Sequence, residues 1–164
     1  MTLEWIFQIS AMATVFSAII AGVFLTFSDF VMRSLKAAEP VAGIEAMQLI
    51  NRKVYLSIFM VLLLGMAPVS MLIALIALTG VSGAAPFWLV SGGTIYVIGV
   101  FGVTMVCNVP MNKRLDVMNQ KLPGTETYWV EYVTFWTRWN HVRTLASAVS
   151  AICYFEGVLL LAQA

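Results

Sequence analysis

The stretch Trp136-Thr137-Arg138-Trp139-Asn140-His141-Val142-Arg143-Thr144 gathers more hydrogen-bonding chemistry than any other part of this chain. Helical spacing puts Trp136, Asn140, Arg143 and Ser147 on one face and Thr137, His141 and Thr144 on the adjacent one. His141 is the only histidine, and histidine is the side chain most often used as a general base near neutral pH. Bland readings stand beside the chemical one. A lone histidine where a helix meets a membrane is often structural, and Trp136 or Trp139 taken singly is an ordinary interface anchor.

Three other groups carry polar chemistry. Asp29 and Arg33 are four apart on a stripe with Gly22 and Thr26, which suits an intrahelical ion pair or a carboxylate facing the interior of a bundle. Gln48, Asn51, Arg52 and Tyr55 share a face by 3–4 spacing. Thr104, Asn108 and Asn112 recur every four residues around Pro110, where they would either cap a terminating helix or hydrogen-bond a ligand. What joins these groups is convergence. An aspartate, asparagines, arginines and the histidine are all expected at one depth, at the same ends of neighbouring helices.

The elements that set this depth follow from charge. All nine basic residues fall between Arg33 and Lys53 or between Lys113 and Arg143. The chain is 61% hydrophobic and only 10% charged, against about 25% charged in a soluble domain. That excludes a water-facing surface, and a net charge of +1 gives no reason to expect a nucleic-acid partner. Apolar stretches near 5–30, 54–78, 87–109 and 141–163 match the roughly 20 residues a membrane helix needs. The fold class is therefore all-α: a single membrane domain over residues 1–164, an antiparallel four-helix bundle with helical segments in its loops. The segment Thr79-Gly80-Val81-Ser82-Gly83-Ala84-Ala85-Pro86 is its uncharged outer turn.

The positive-inside rule puts both basic loops in the cytoplasm and both termini outside, as in a bacterial inner-membrane protein. Cysteine labelling from outside should reach residues 80–85, and labelling from inside should reach 36–45 and 116–126. The reverse pattern would overturn the orientation. Met1-Thr2-Leu3-Glu4-Trp5 lacks a basic n-region, so the first apolar segment is expected to remain as a span.

Pro40 suits the first turn of a loop helix that would run straight into the second span. Pro123-Gly124 breaks the other loop, with Thr125 expected as N-cap of a helix continuing into the fourth span. Cys107 and Cys153 should differ in depth by on the order of 10 Å, too far for a disulfide. One histidine is too few for a di-iron or haem bundle, and Glu156 lies toward the opposite end of the fourth span. Gly92-Gly93, Gly99 and Gly102 allow close helix approach within the chain or in a homo-oligomer.

Four motifs together resemble a known family. Ser28-Asp29-Phe30-Val31-Met32-Arg33-Ser34-Leu35, then Pro40 with Gly43-Ile44-Glu45-Ala46-Met47-Gln48-Leu49-Ile50-Asn51, then Asn108-Val109-Pro110-Met111-Asn112, then the tryptophan-rich segment, are similar to the anthrone-oxygenase-like membrane proteins, also called domain of unknown function 1772. The resemblance spans nearly the whole chain, and its last motif is the most specific.

The resemblance implies oxidation, by dioxygen, of a flat lipid-soluble phenol or ketone near the cytoplasmic face. It implies His141, Asp29 and Arg143 as catalytic candidates. Arg33, Gln48, Asn51, Asn108, Asn112, Trp136, Trp139 and Asn140 would hold the substrate. No metal or other cofactor is expected, and the expected partners are the lipid bilayer and a hydrophobic small molecule. A second reading stays open: a non-enzymatic four-span protein, a ligand binder or accessory subunit, whose polar cluster fixes helix packing.

Overall fold

In a computed structural model describing residues 2–163, the chain folds into helices, with no strand among the described residues. Helix α1 (Thr2–Thr26) passes through a π turn (Phe27–Val31) into α2 (Met32–Ala37). Helices α3 (Pro40–Val54) and α4 (Ile58–Gly80) follow. Helix α5 (Ala85–Ile95) runs through two π segments (Tyr96–Gly102 and Thr104–Asn108) into α6 (Val109–Asp116), and α7 (Pro123–Leu161) comes last. Four continuous rods are long and apolar enough to cross a membrane: Leu3–Ala37, Ile58–Gly80, Ala85–Asp116 and Gly124–Leu161. This is an integral membrane protein of the architecture its charge pattern implies.

Three of the rods outrun a bilayer. At 1.5 Å per residue the 39 residues of α7 extend about 58 Å, against a hydrocarbon core of about 30 Å. The surplus lies at the basic end. There α2, α3, α6 and the N-terminal half of α7 pack into a cap around Met32, Ile44, Met47, Leu115, Trp129 and Tyr132. A second core, with Ile20, Phe24, Leu63, Leu89, Tyr96 and Tyr154, lies among the spans. In that layer α1 packs on α4 and α7, and α5 packs on the same two helices.

Lipid is as apolar as leucine, so close packing and hydrogen bonds must hold the spans together. Gly93 is an instance: a Cβ there would sit 2.8 Å from the Ser70 carbonyl oxygen of α4. Beside it Ser150 Oγ donates to the Gly92 carbonyl at 2.9 Å. The Tyr96 hydroxyl donates to the Leu63 carbonyl at 3.0 Å. These glycines thus serve contacts within the chain.

Three local expectations need correction. First, α3 does not run into α4. The chain turns at Tyr55–Ser57, where Ser57 takes an extended conformation and its Oγ accepts from the Met60 N–H at 3.2 Å. Secondly, the third rod does not end near Pro110. The wide turn at Thr104–Asn108 immediately precedes it, and the helix continues to Asp116. A wider turn relieves both the missing proline N–H and its clash with the preceding turn. Thirdly, Thr125 is not the N-cap of α7. The helix starts at Pro123, whose absent N–H costs nothing at a first turn, and Thr125 Oγ1 donates to the Asn119 carbonyl at 2.7 Å. The cysteines are free, as their depths require.

The cap also depends on a glycine. A Cβ on Gly43 would collide with the Leu35 carbonyl oxygen and lie 3.2 Å from the Trp129 ring. Gly43→Ala is expected to destabilise the protein by about 1–3 kcal/mol. Thermal unfolding in detergent reads this, and an unchanged Tm would mean that the α2–α3 corner relaxes freely.

Candidate ligand cavity

The two cores meet at a cavity of about 250 Å³. This is just under the roughly 300–1,000 Å³ of small-ligand sites, so it suits a compact molecule. Its apolar wall includes Val23, Phe24, Phe27, Met47, Ile50 and Phe59. Its polar groups are Asn51, Tyr55, Thr104, Asn108, Asn112 and Arg143, with Trp136 between them.

Two helix distortions shape these walls. On α1, Asn140 reaches across from α7 and its Nδ2 donates to the Phe24 carbonyl and to Ser28 Oγ, both at 2.6 Å. A side chain inserted at a helix ladder accompanies a widened turn, and π turns gather at functional sites. On the third rod, the turn associated with Pro110 brings Thr104 and Asn108 to the cavity.

Arg143 is the centre of the arrangement and only 5% exposed. Its Nη2 donates to Asn140 Oδ1 at 2.6 Å, and Nη1 makes a long contact of 3.4 Å with Thr104 Oγ1. The guanidinium carbon lies 4.2 Å from the Phe24 ring centroid and 5.2 Å from that of Trp136. Its Nε has no partner. Among the described residues no carboxylate forms an ion pair with it; Arg52 and Asp116 pair with each other, at 2.6 Å in the cap. A buried cation without a counter-ion is costly, and ring faces offset only part of that cost.

The asparagines complete the polar end. Asn108 Nδ2 donates to the Trp136 carbonyl at 3.2 Å, while its buried Oδ1 has no partner. Asn112 Oδ1 accepts from the Tyr132 hydroxyl and from Trp136 Nε1, both at 2.8 Å. Arg143 and Asn108 thus line the cavity, and each keeps one buried polar atom, Nε and Oδ1, outside the hydrogen bonds among the described residues. Asn51, Tyr55 and Asn112 also line an adjoining chamber of about 250 Å³ walled by Arg52, Lys113 and Asp116. The apolar cavity therefore borders a polar one toward the cap.

Of the residues singled out by sequence, Asn51, Asn108, Asn112, Trp136 and Arg143 line this cavity, and Asn140 stands behind Arg143. Gln48 is buried but committed elsewhere. Its Nε2 donates to the Leu115 and Met118 carbonyls at 2.7 and 2.9 Å and its Oε1 accepts from Gln120, tying α3 to the chain after α6. Asp29, Arg33, Trp139 and His141 are exposed on the outside of the bundle. Arg33 and His141 line a separate groove with Lys36 and Arg138. No group of three or more His, Cys, Asp or Glu side chains comes together among the described residues.

Sequence reasoning missed Phe24, whose carbonyl and ring both serve the site. An apolar residue within a span carries no signal. The faint trace is its place on a stripe with Ser10, Ser17 and Ser28, all buried.

Fold and site define an all-helical integral membrane protein with a polar-ended cavity where its span core meets its cap. Residues 52–153, more than half of the chain, match the anthrone oxygenase family, and the chain belongs to that family. No curated protein and no solved structure matches it. The matched stretch holds Asn108, Asn112, Trp136, Asn140 and Arg143, whereas Asp29, Arg33, Gln48 and Asn51 lie before it.

Proposed function

We propose that this protein is a membrane oxygenase that uses dioxygen to oxidise the activated methylene of a flat, lipid-soluble phenolic ketone. The observation that carries this reading is Arg143, a buried guanidinium without a carboxylate at the wall of an apolar cavity. Such a group is suited to an oxyanion that develops during reaction. Family membership supports the substrate class.

An anthrone-type ketone loses a methylene proton to give an enolate whose charge rests on oxygen. The Arg143 guanidinium pairs with that oxygen, and Asn108 on the same wall bonds a phenolic hydroxyl. The proton leaves toward the polar chamber, where Asp116 offers a carboxylate. The enolate is electron-rich enough to pass an electron to dioxygen by itself, and the radical pair collapses to form the C–O bond. Protonation gives a hydroperoxide at the former methylene carbon. Loss of water then leaves a carbonyl there. One oxygen atom of dioxygen stays on that carbon, and the other departs as water with the two methylene hydrogens. Because the substrate supplies every electron that dioxygen takes up, this chemistry asks for no metal or organic cofactor. The protein contributes dryness, orientation and charge. The orientation that places the basic loops in the cytoplasm puts the cavity near that face, in a bacterial inner membrane.

One observation favours a binding or accessory role: among the described residues no histidine, aspartate or glutamate lines the cavity. Dioxygen uptake by the purified protein with an anthrone panel decides between the two readings. An oxygenase consumes equimolar dioxygen and forms equimolar quinone above the spontaneous rate. Saturable binding of the same anthrones with no uptake above blank would establish the binding role instead.

A further inference from the structure

We propose that the groove between α1–α2 and α7 is a headgroup site for an anionic phospholipid of the leaflet next to the basic loops. Ser28, Met32, Arg33 and Lys36 form one wall, and Val133, Thr134, Thr137, Arg138 and His141 form the other. Its volume is about 260 Å³. Two arginines, a lysine and the histidine thus converge from two elements.

None of the three cations forms an ion pair among the described residues. Arg138 rests 5.3 Å over the Phe135 ring, which holds its head near the groove without neutralising it. Asp29 is exposed on the neighbouring turn yet makes no ion pair with Arg33. Cations and an imidazole are the donor set of a phosphate, not of a carbonyl or a metal ion.

Position selects the lipid. The groove lies where the apolar parts of α1 and α7 give way to the basic cap, the depth of headgroup phosphates. Leu25 on α1 and Val142 and Leu145 on α7 are exposed on the span side of this level and offer a surface for acyl chains. Basic pockets between helices at this level recognise anionic headgroups. The site is distinct from the cavity, although Ser28 joins them: it lines the groove and accepts from Asn140, the residue that holds Arg143.

The test uses the full chain purified from a bilayer of equal parts phosphatidylcholine and phosphatidylglycerol, with retained lipid identified by native mass spectrometry. Phosphatidylglycerol should be retained selectively. The triple variant Arg33→Gln/Lys36→Gln/Arg138→Gln should bind it on the order of 100-fold more weakly, since each cation near the surface adds a several-fold factor. All three side chains are exposed, so the fold should survive; the single variant Lys36→Glu gives the same direction at lower risk. Lys113→Gln/Lys121→Gln removes charge elsewhere in the cap and should leave retention unchanged. Equal losses in that control would mean diffuse attraction and overturn the site. So would retention surviving the triple variant, or displacement of the lipid by millimolar inorganic phosphate as readily as by phosphatidylglycerol.

Discussion

Replacing Arg143 with methionine is expected to lower the rate of anthrone oxidation by roughly 10²–10³-fold, the usual loss when one oxyanion donor is removed from a dry site. The same change should leave Tm close to wild type. A buried unpaired cation costs folding energy, and an apolar side chain of similar length removes that cost. Against this, Asn140 Oδ1 loses its 2.6 Å partner, so the two effects oppose each other. Arg143→Lys should recover only part of the rate, because a point charge cannot stack between the Phe24 and Trp136 rings while also reaching Asn140. The comparison variants are His141→Ala and Asp29→Asn. Both residues are exposed outside the cavity, and both variants should keep wild-type activity. A drop in either, matched by a full rate in Arg143→Met, would move the chemistry to the outer surface.

The second large effect concerns Asn140. Asn140→Leu removes the bonds to the Phe24 carbonyl, to Ser28 Oγ and from Arg143, all 2.6 Å long. It strands a buried carbonyl and takes from Arg143 its one short hydrogen bond. The expected loss is roughly 3 kcal/mol, read as a lower midpoint for denaturant unfolding in detergent.

Asn140→Asp tests the electrostatics. An aspartate retains an acceptor for Arg143 and supplies the counter-ion that the site otherwise lacks, although its second oxygen replaces the donor that met the Phe24 carbonyl. This variant should therefore also lose stability and be nearly inactive, since a neutralised guanidinium stabilises an enolate poorly. Full activity in Asn140→Asp would show that an uncompensated charge is not what the cavity needs.

These predictions rest on azimuth, and azimuth is where sequence reading reached its limit. Depth was legible. Charge segregation located four spans, and the hydrogen-bonding residues do lie toward their basic ends. The 3–4 spacing also grouped Trp136, Asn140, Arg143 and Ser147 correctly, because α7 is a regular helix and all four are buried. Equal depth is not proximity, however. His141 follows Asn140 in the chain but is turned about 100° around the helix, enough to face outward.

On α1 the reading failed for another reason. The buried stripe Ala13, Ser17, Ile20 and Phe24 runs through the Phe27–Val31 π turn to Ser28 and Met32, so the Asp29 and Arg33 stripe was the wrong face from the start. Nothing local announces that turn. It accompanies Asn140 reaching in from a distant helix. The wide turn of the third rod did have a local sign in Pro110, where helix termination was one of two readings because proline more often stops helices than widens them.

The pairing of α1 with α7 also sets an order of events during synthesis. The bond between Asn140 and the Phe24 carbonyl joins residues 116 positions apart, and α1 finds its largest partner surface on α7. While the ribosome is still making the middle of the chain, α1 must wait in the bilayer without the Asn140 bonds to the Phe24 carbonyl and Ser28 Oγ. The arrival of the last helix brings them, and the same event supplies Trp136 and Arg143 to the cavity. A chain interrupted before residue 123 would therefore have made its first three rods and still lack every α7 contact, leaving it open to premature-chain quality control.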